Sequence, residues 1–146
     1  MHNVLRAIEQ SIMNPTAQHW LIANGVRPSC RICPDRPAAT RTATQATNTN
    51  GNSGRPHYIC PNGHFVCFGD MRGIHITNPA CDCPSLHFSQ AQVANEDAAR
   101  VIPRAVFLTC ALGHCDFFSY LCWEDGEPVR YRPGPLTSRE LIQVGL

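Results

Sequence analysis

The chain has 146 residues, 43% of them hydrophobic and 16% charged, with twelve arginines, no lysine and a formal net charge of +1. That is too apolar for a disordered chain, and the length suits one ordinary domain or two very small ones. No stretch approaches the roughly 18 apolar residues of a membrane span, and Arg6 and Glu9 interrupt the N-terminal apolar run where a secretory signal would continue, so the expected location is intracellular, nucleus or cytoplasm.

Residues 1–26 read as an N-terminal helical segment. Val4, Leu5, Ile8 and Ile12 recur at helical spacing. Asn14-Pro15 splits the segment into two short helices, because the residue before proline avoids the helical region. Its apolar face is expected to cover the rest of the fold; the alternative is a docking surface for a protein partner.

Nine cysteines dominate the remainder of the chain. In a reducing compartment such usage points to metal before disulfides, and a disulfide framework is the weaker alternative. Eight of the nine fall into two sets. The first is Cys30-x2-Cys33-x26-Cys60-x6-Cys67, and the second is Cys81-x1-Cys83-x26-Cys110-x4-Cys115. Both central gaps are 26 residues, and corresponding cysteines lie 48 to 51 positions apart. A close pair can supply half of a tetrahedral shell, so two close pairs per set predict two Zn²⁺ ions with four cysteines each. His64 and His114 are the alternative donors to Cys67 and Cys115. A shell of four thiolates leaves no open position for water, so zinc catalysis is not expected.

Each set carries strand-like runs around its later cysteines: Pro56–Ile59 and Phe65–Phe68 in the first, Val106–Thr109 and Phe117–Tyr120 in the second. Thr40–Thr44 alternates like a strand, and Asn50-Gly51 reads as a turn. Gln90–Ala94 reads as loop or short helix. The link Gly73–Pro79 has few flexible residues, so the halves should pack as one unit. Cys122, within Tyr120–Trp123, reads as a buried thiol. Beyond it, Pro128–Pro135 reads as an extended connector, and Thr137 with Glu140 forms a capping box for a last short helix.

The expected fold is therefore small, zinc-stabilised and mainly β. Two tandem zinc ribbons, 27–75 and 76–125, pack together between the helical segment 1–26 and a tail, 126–146, with its own short helix. Charge divides between them: 27–75 holds six arginines and two aspartates, and 76–125 holds two arginines and six acids. Only the first could attract an anionic partner.

The string Asn52-Ser53-Gly54-Arg55-Pro56-His57-Tyr58-Ile59-Cys60 resembles the GRF zinc finger, whose pattern runs Asn, a small residue, Gly-Arg, an aromatic pair and Cys. Together with Gly73-Ile74-His75 and Asn78-Pro79-Ala80-Cys81-Asp82-Cys83, the chain resembles fungal proteins that carry a GRF-like zinc ribbon. The resemblance implies zinc binding by the motif cysteines; separately, no catalytic constellation is present in the sequence, so enzymatic activity is not expected. In better-known relatives the finger binds single-stranded DNA, which implies single-stranded DNA or RNA as partner. Arg55 matches the motif arginine, and Arg41 and Tyr58 would assist it through phosphate contact and stacking. Neither a membrane nor a small-molecule substrate is expected. The competing reading is a protein-interaction adaptor in which zinc is a purely structural staple.

Overall fold

The computed structural model describes residues 28–45, 47–75, 77–84 and 88–143. The helical segment expected over 1–26 lies outside the described residues. Strands β1 (Thr40–Ala43), β2 (Pro56–Ile59) and β3 (Phe65–Phe68) form one antiparallel sheet in that order. Strands β4 (Ser89–Val93), β5 (Val106–Cys110) and β6 (Phe118–Tyr120) form a second of the same order. A single-turn helix, α1 (Ser138–Gln143), follows. Its start is fixed by Thr137 and Glu140: the Glu140 N–H donates to Thr137 Oγ1 at 3.2 Å, and the Thr137 N–H donates to Glu140 Oε1 at 2.9 Å.

The two sheets share their turn chemistry. Two residues ahead of β2 the chain enters the left-handed region at Gly54 (φ 69°), and two residues ahead of β5 it does so at Arg104 (φ 62°). After β2 and after β5 a tight turn closes on a glycine. The Gly63 N–H donates to Cys60 O at 2.9 Å, and the Gly113 N–H donates to Cys110 O at 3.0 Å. Both glycines have positive φ, which a side chain would resist.

Gln90–Ala94, expected as loop or short helix, instead contributes to β4. The run from Ser89↔Cys110 to Val93↔Val106 pairs in register with β5. Its apolar residues alternate, placing Ala91 and Val93 in a buried cluster with Val106, Leu108 and Val129. Alanine and glutamine are weak strand formers, so tertiary pairing decides the outcome. Cys122 also departs from expectation. It is exposed, at the base of a hairpin where it bridges Pro128, and its neighbours Leu121 and Trp123 are exposed too. The residues read as a connector pack instead on the second sheet. The Val106 N–H donates to Val129 O, the Tyr131 N–H to Arg104 O, and the Arg104 side chain to the carbonyls of Arg132 and Gly134.

The apolar interior is divided into small clusters. Two of the four are built largely on cysteine. A third, Met71, Ile74 and Ala111, lies at the junction and draws on both halves. The backbones approach closely there. A Cβ on Gly73 would lie 2.5 Å from Ala91 O, and one on Gly113 would lie 2.2 Å from Val66 O. The link also lies along β4: the Ala91 N–H donates to Gly73 O, and Asn78 Nδ2 donates to Gly73 O and Ser89 O.

Arg55 organises this junction. It is 1% exposed and lies with its guanidinium carbon 3.6 Å from the centre of the Phe68 ring. Its Nε donates to Asp70 at 2.9 Å, Nη1 donates to Asn52 Oδ1, and Nη2 donates to Asp70 Oδ1 and Arg72 O. Gln90 of β4 then donates to Asp70 O and Arg72 O. A loop of the first half is thus tied to a strand of the second. Burial lowers the Arg55 pKa, and the charge of Asp70 opposes that shift.

Removing one member of a buried ion pair strands the other charge. Arg55→Ala should therefore destabilise the fold by about 3–5 kcal/mol, and replacing Arg55 and Asp70 together by leucine should recover most of that loss. Urea denaturation of the zinc-loaded proteins measures both, and an Arg55→Ala variant as stable as the parent would contradict the assignment.

Candidate metal centres

Two groups of sulfur and nitrogen donors converge. The first is Cys30, Cys33, Cys60 and His64; the second is Cys81, Cys83, Cys110 and Cys115. Within each group the four ligand atoms all lie within 4.8 Å of one another. In the first, His64 Nδ1 lies 3.5, 3.4 and 3.3 Å from the sulfurs of Cys30, Cys33 and Cys60, and Cys33 Sγ lies 3.9 Å from Cys60 Sγ. In the second, Cys83 Sγ lies 3.7 Å from Cys110 Sγ.

These separations match a tetrahedral zinc shell. Zn–S bonds of about 2.3 Å at tetrahedral angles put two sulfurs about 3.8 Å apart, and a Zn–N bond of about 2.05 Å puts nitrogen about 3.6 Å from each sulfur. Hydrogen bonding cannot account for the first group, since one ring nitrogen cannot serve three sulfurs at once. Each cluster could hold one zinc ion.

The sequence expectation placed Cys67 in the first group, and the structure brings His64 there instead. The cause is the glycine turn. The Cys60 N–H donates to His64 O at 3.0 Å and the His64 N–H approaches Cys60 Sγ at 3.4 Å, which folds the histidine back over its cysteine. Cys67 lies three residues further on, paired with Tyr58 in β2, and is not among the converging donors. Burial, followed by the nearby Cys110, pushes its thiol up to about 12. The sequence signal for His64 is Cys60-x2-Gly63-His64, which recurs as Cys110-x2-Gly113-His114. In the second half, however, the donor is the next residue, Cys115.

One sulfur of each cluster is prepared to be anionic, while Cys33, despite the Asn62 amide that lowers it, is raised by burial and by Cys30 and Cys60. Burial opposes ionisation of Cys30, but N–H groups of Cys33 and Ile32 outweigh it and hold the thiol at about 6. Cys110 is lowered in the same way: N–H groups of Cys115, His114 and Leu112 overcome its burial. Asn62 Nδ2 donates to Cys33 Sγ at 3.2 Å, an outer contact that orients a ligand. Burial instead pushes Cys81 up to about 11 and Cys83 higher still.

The residues expected to meet nucleic acid are scattered in role. Arg55 is enclosed by Asp70, Asn52 and Phe68, and its guanidinium faces the interior. Tyr58 is half-buried against the first cysteine cluster and beside Gly69. Arg41 is exposed on the edge strand β1. A side-chain ion pair between Arg31 and Asp116, 2.7 Å long, links the surfaces of the two halves beside the metal clusters.

His64→Ala should lose, or hold much less tightly, one of two zinc equivalents, and Cys67→Ala should keep both; native mass spectrometry reads the difference. Loss from Cys67→Ala with retention in His64→Ala would reverse the donor assignment. Raised thiols must shed protons to bind metal, so acid competes with zinc. Cys30 becomes a competing proton site only as pH falls through about 6, whereas Cys81, at about 11, carries its proton through the neutral range and gives it up on binding zinc. Zinc affinity, measured against a chromophoric chelator, should rise from pH 6 to pH 8, and a flat profile would contradict the thiol assignment.

Residues 27–72, which hold β1–β3 and the whole first donor group, match the family model of the GRF-like zinc ribbon domain. No curated protein and no solved structure matches the chain.

Proposed function

We propose that this chain is a non-catalytic module in which two tandem zinc ribbons, 27–75 and 76–125, each stapled by structural metal, pack as one body, and that the body binds single-stranded nucleic acid. The observation that carries the non-catalytic reading is the completeness of each donor group. Four sulfur or nitrogen atoms fill a tetrahedral shell and leave no position for a reactive water.

The nucleic-acid reading is supported by the match of residues 27–72 to the GRF-like zinc ribbon domain. It is also supported by exposed Arg41 and by the partly exposed rings of Phe65 and Phe118. A single strand requires aromatic faces for its bases and cations for its backbone. In this reading Arg55 acts by bracing the loop before β2. Few cations face solvent near those rings, so affinity is expected to be about micromolar, with a shallow salt slope.

One observation favours the adaptor reading. Trp123 is 60% exposed on a hairpin tip, and Glu124, Asp125 and Glu127 around it are exposed as well. An apolar, acidic tip suits a basic segment of a partner protein. Among the described residues, no helix is long and apolar enough to cross a membrane.

Fluorescence anisotropy with single-stranded and duplex oligonucleotides at 20 and 200 mM salt (about 20 and 7 Å of screening length) separates the two readings. The single strand should bind more tightly, and Arg41→Glu should weaken it. Absence of binding at low salt would sink the nucleic-acid reading and leave the adaptor.

A further inference from the structure

Between the two sheets runs a cleft of about 390 Å³. His57, Phe65 and Phe68 come to it from the first sheet, and Gln92 and Phe107 from the second. A smaller hollow of about 200 Å³ shares Phe65, Gln92 and Phe107 and reaches Arg31. The two hollows thus form one path along the seam between the halves.

The lining has a definite chemistry. Rings stand on both sides, and each is held by neighbours. Phe65 lies 4.9 Å from Phe68 and 5.8 Å from His57, and Phe107 is stacked on Phe118 at 5.4 Å. Between the rings are the amides of Asn48, Asn50, Asn52, Gln92 and Asn95. Among the described residues, no aspartate, glutamate or arginine lines the larger hollow. Arg31, at the end of the path, is already paired with Asp116.

Asn50 adds a second observation. It is 4% exposed and lines the cleft. Its Nδ2 donates to Val93 O at 2.8 Å and to Asn95 Oδ1 at 2.7 Å, which fixes the orientation of the amide. Its Oδ1 is buried with no hydrogen-bond partner among the described residues. The amide is therefore held in one orientation at the wall of the cleft.

We propose that this seam is the contact surface for the bases of a single strand, with Phe65 and Phe107 offering ring faces and the neighbouring amides reading base edges. A neutral, planar heterocycle with N–H and carbonyl groups on its rim fits aromatic walls and amides. A basic peptide would require acids in the wall, and although Val93, Ala94, Ala98 and Val101 also line it, a purely apolar helix would leave the amides there without partners. The inference rests on the nucleic-acid reading above and moves its centre from the motif arginine to the seam. It also gives the second half a role, because neither half forms the cleft alone.

The test uses the full zinc-loaded chain and three probes: oligo-dT of twelve nucleotides, an abasic strand of the same length, and a proline-rich peptide. Oligo-dT should bind at least about tenfold more tightly than the abasic strand. Phe65→Ala should weaken oligo-dT by about tenfold, since one stacked base is worth that much or more. Phe65 is 40% exposed, and a zinc count and a thermal melt on the variant check that it folds. Trp123→Ala, a ring outside the cleft, should change nothing. Equal binding of dT and abasic strands, or loss at Trp123→Ala with retention at Phe65→Ala, would overturn the seam while leaving nucleic-acid binding intact. No oligonucleotide binding at all would overturn both, and so would peptide binding in its place.

Discussion

The structure depends on four donor atoms meeting at one point in each half. Little else could hold the first sheet. β1 is exposed along its whole length and β2 is half-buried throughout, so the first sheet buries little apart from β3. Its interior is mainly Cys30, Cys33, Cys60, Cys67 and Val66. A core of that size contributes too little burial to offset the entropy of ordering the chain. Ligand bonds formed only in the folded state supply what is missing. The knuckles bring backbone N–H groups onto Cys30 and Cys110, so part of the cost of gathering negative sulfur is met before any ion arrives.

The second constraint is the buried ion pair of Arg55 and Asp70. It sits between a loop of the first sheet and a strand of the second, and its hydrogen bonds continue into Gln90. A buried pair is weak evidence for net stability but strong evidence for geometry, because few other arrangements satisfy so many donors. Arg104 occupies the corresponding approach to β5. It keeps the left-handed backbone that Gly54 has, and it spends its side chain on carbonyls of the C-terminal segment. Both arginines therefore brace a strand entry, though they reach in different directions.

Much of this was legible in the residues. Cysteine spacing located both donor clusters, since each close pair on a knuckle must face its partner pair. Strand-like runs located β1, β2, β3, β5 and β6, because β-branched and aromatic residues cluster there. Other features were not legible, for physical reasons. The fourth donor of the first cluster depends on how a glycine turn rotates His64, which spacing alone does not fix. β4 is written in alanine and glutamine, whose strand character comes from the partner they meet. Arg55 looks like a surface cation until Asp70 and Phe68, distant in sequence by 15 and 13 positions, close around it.

The small cluster of Met71, Ile74 and Ala111 has a consequence for whether either half can stand alone. Its members come from both sides of the link, and glycines at 73 and 113 allow the backbones to touch there. A gene encoding either half alone would leave a methionine and an isoleucine, or the alanine that covers them, facing solvent. The two halves are consequently expected to fold together, since a chain cut at the link would carry apolar surface that the intact molecule covers.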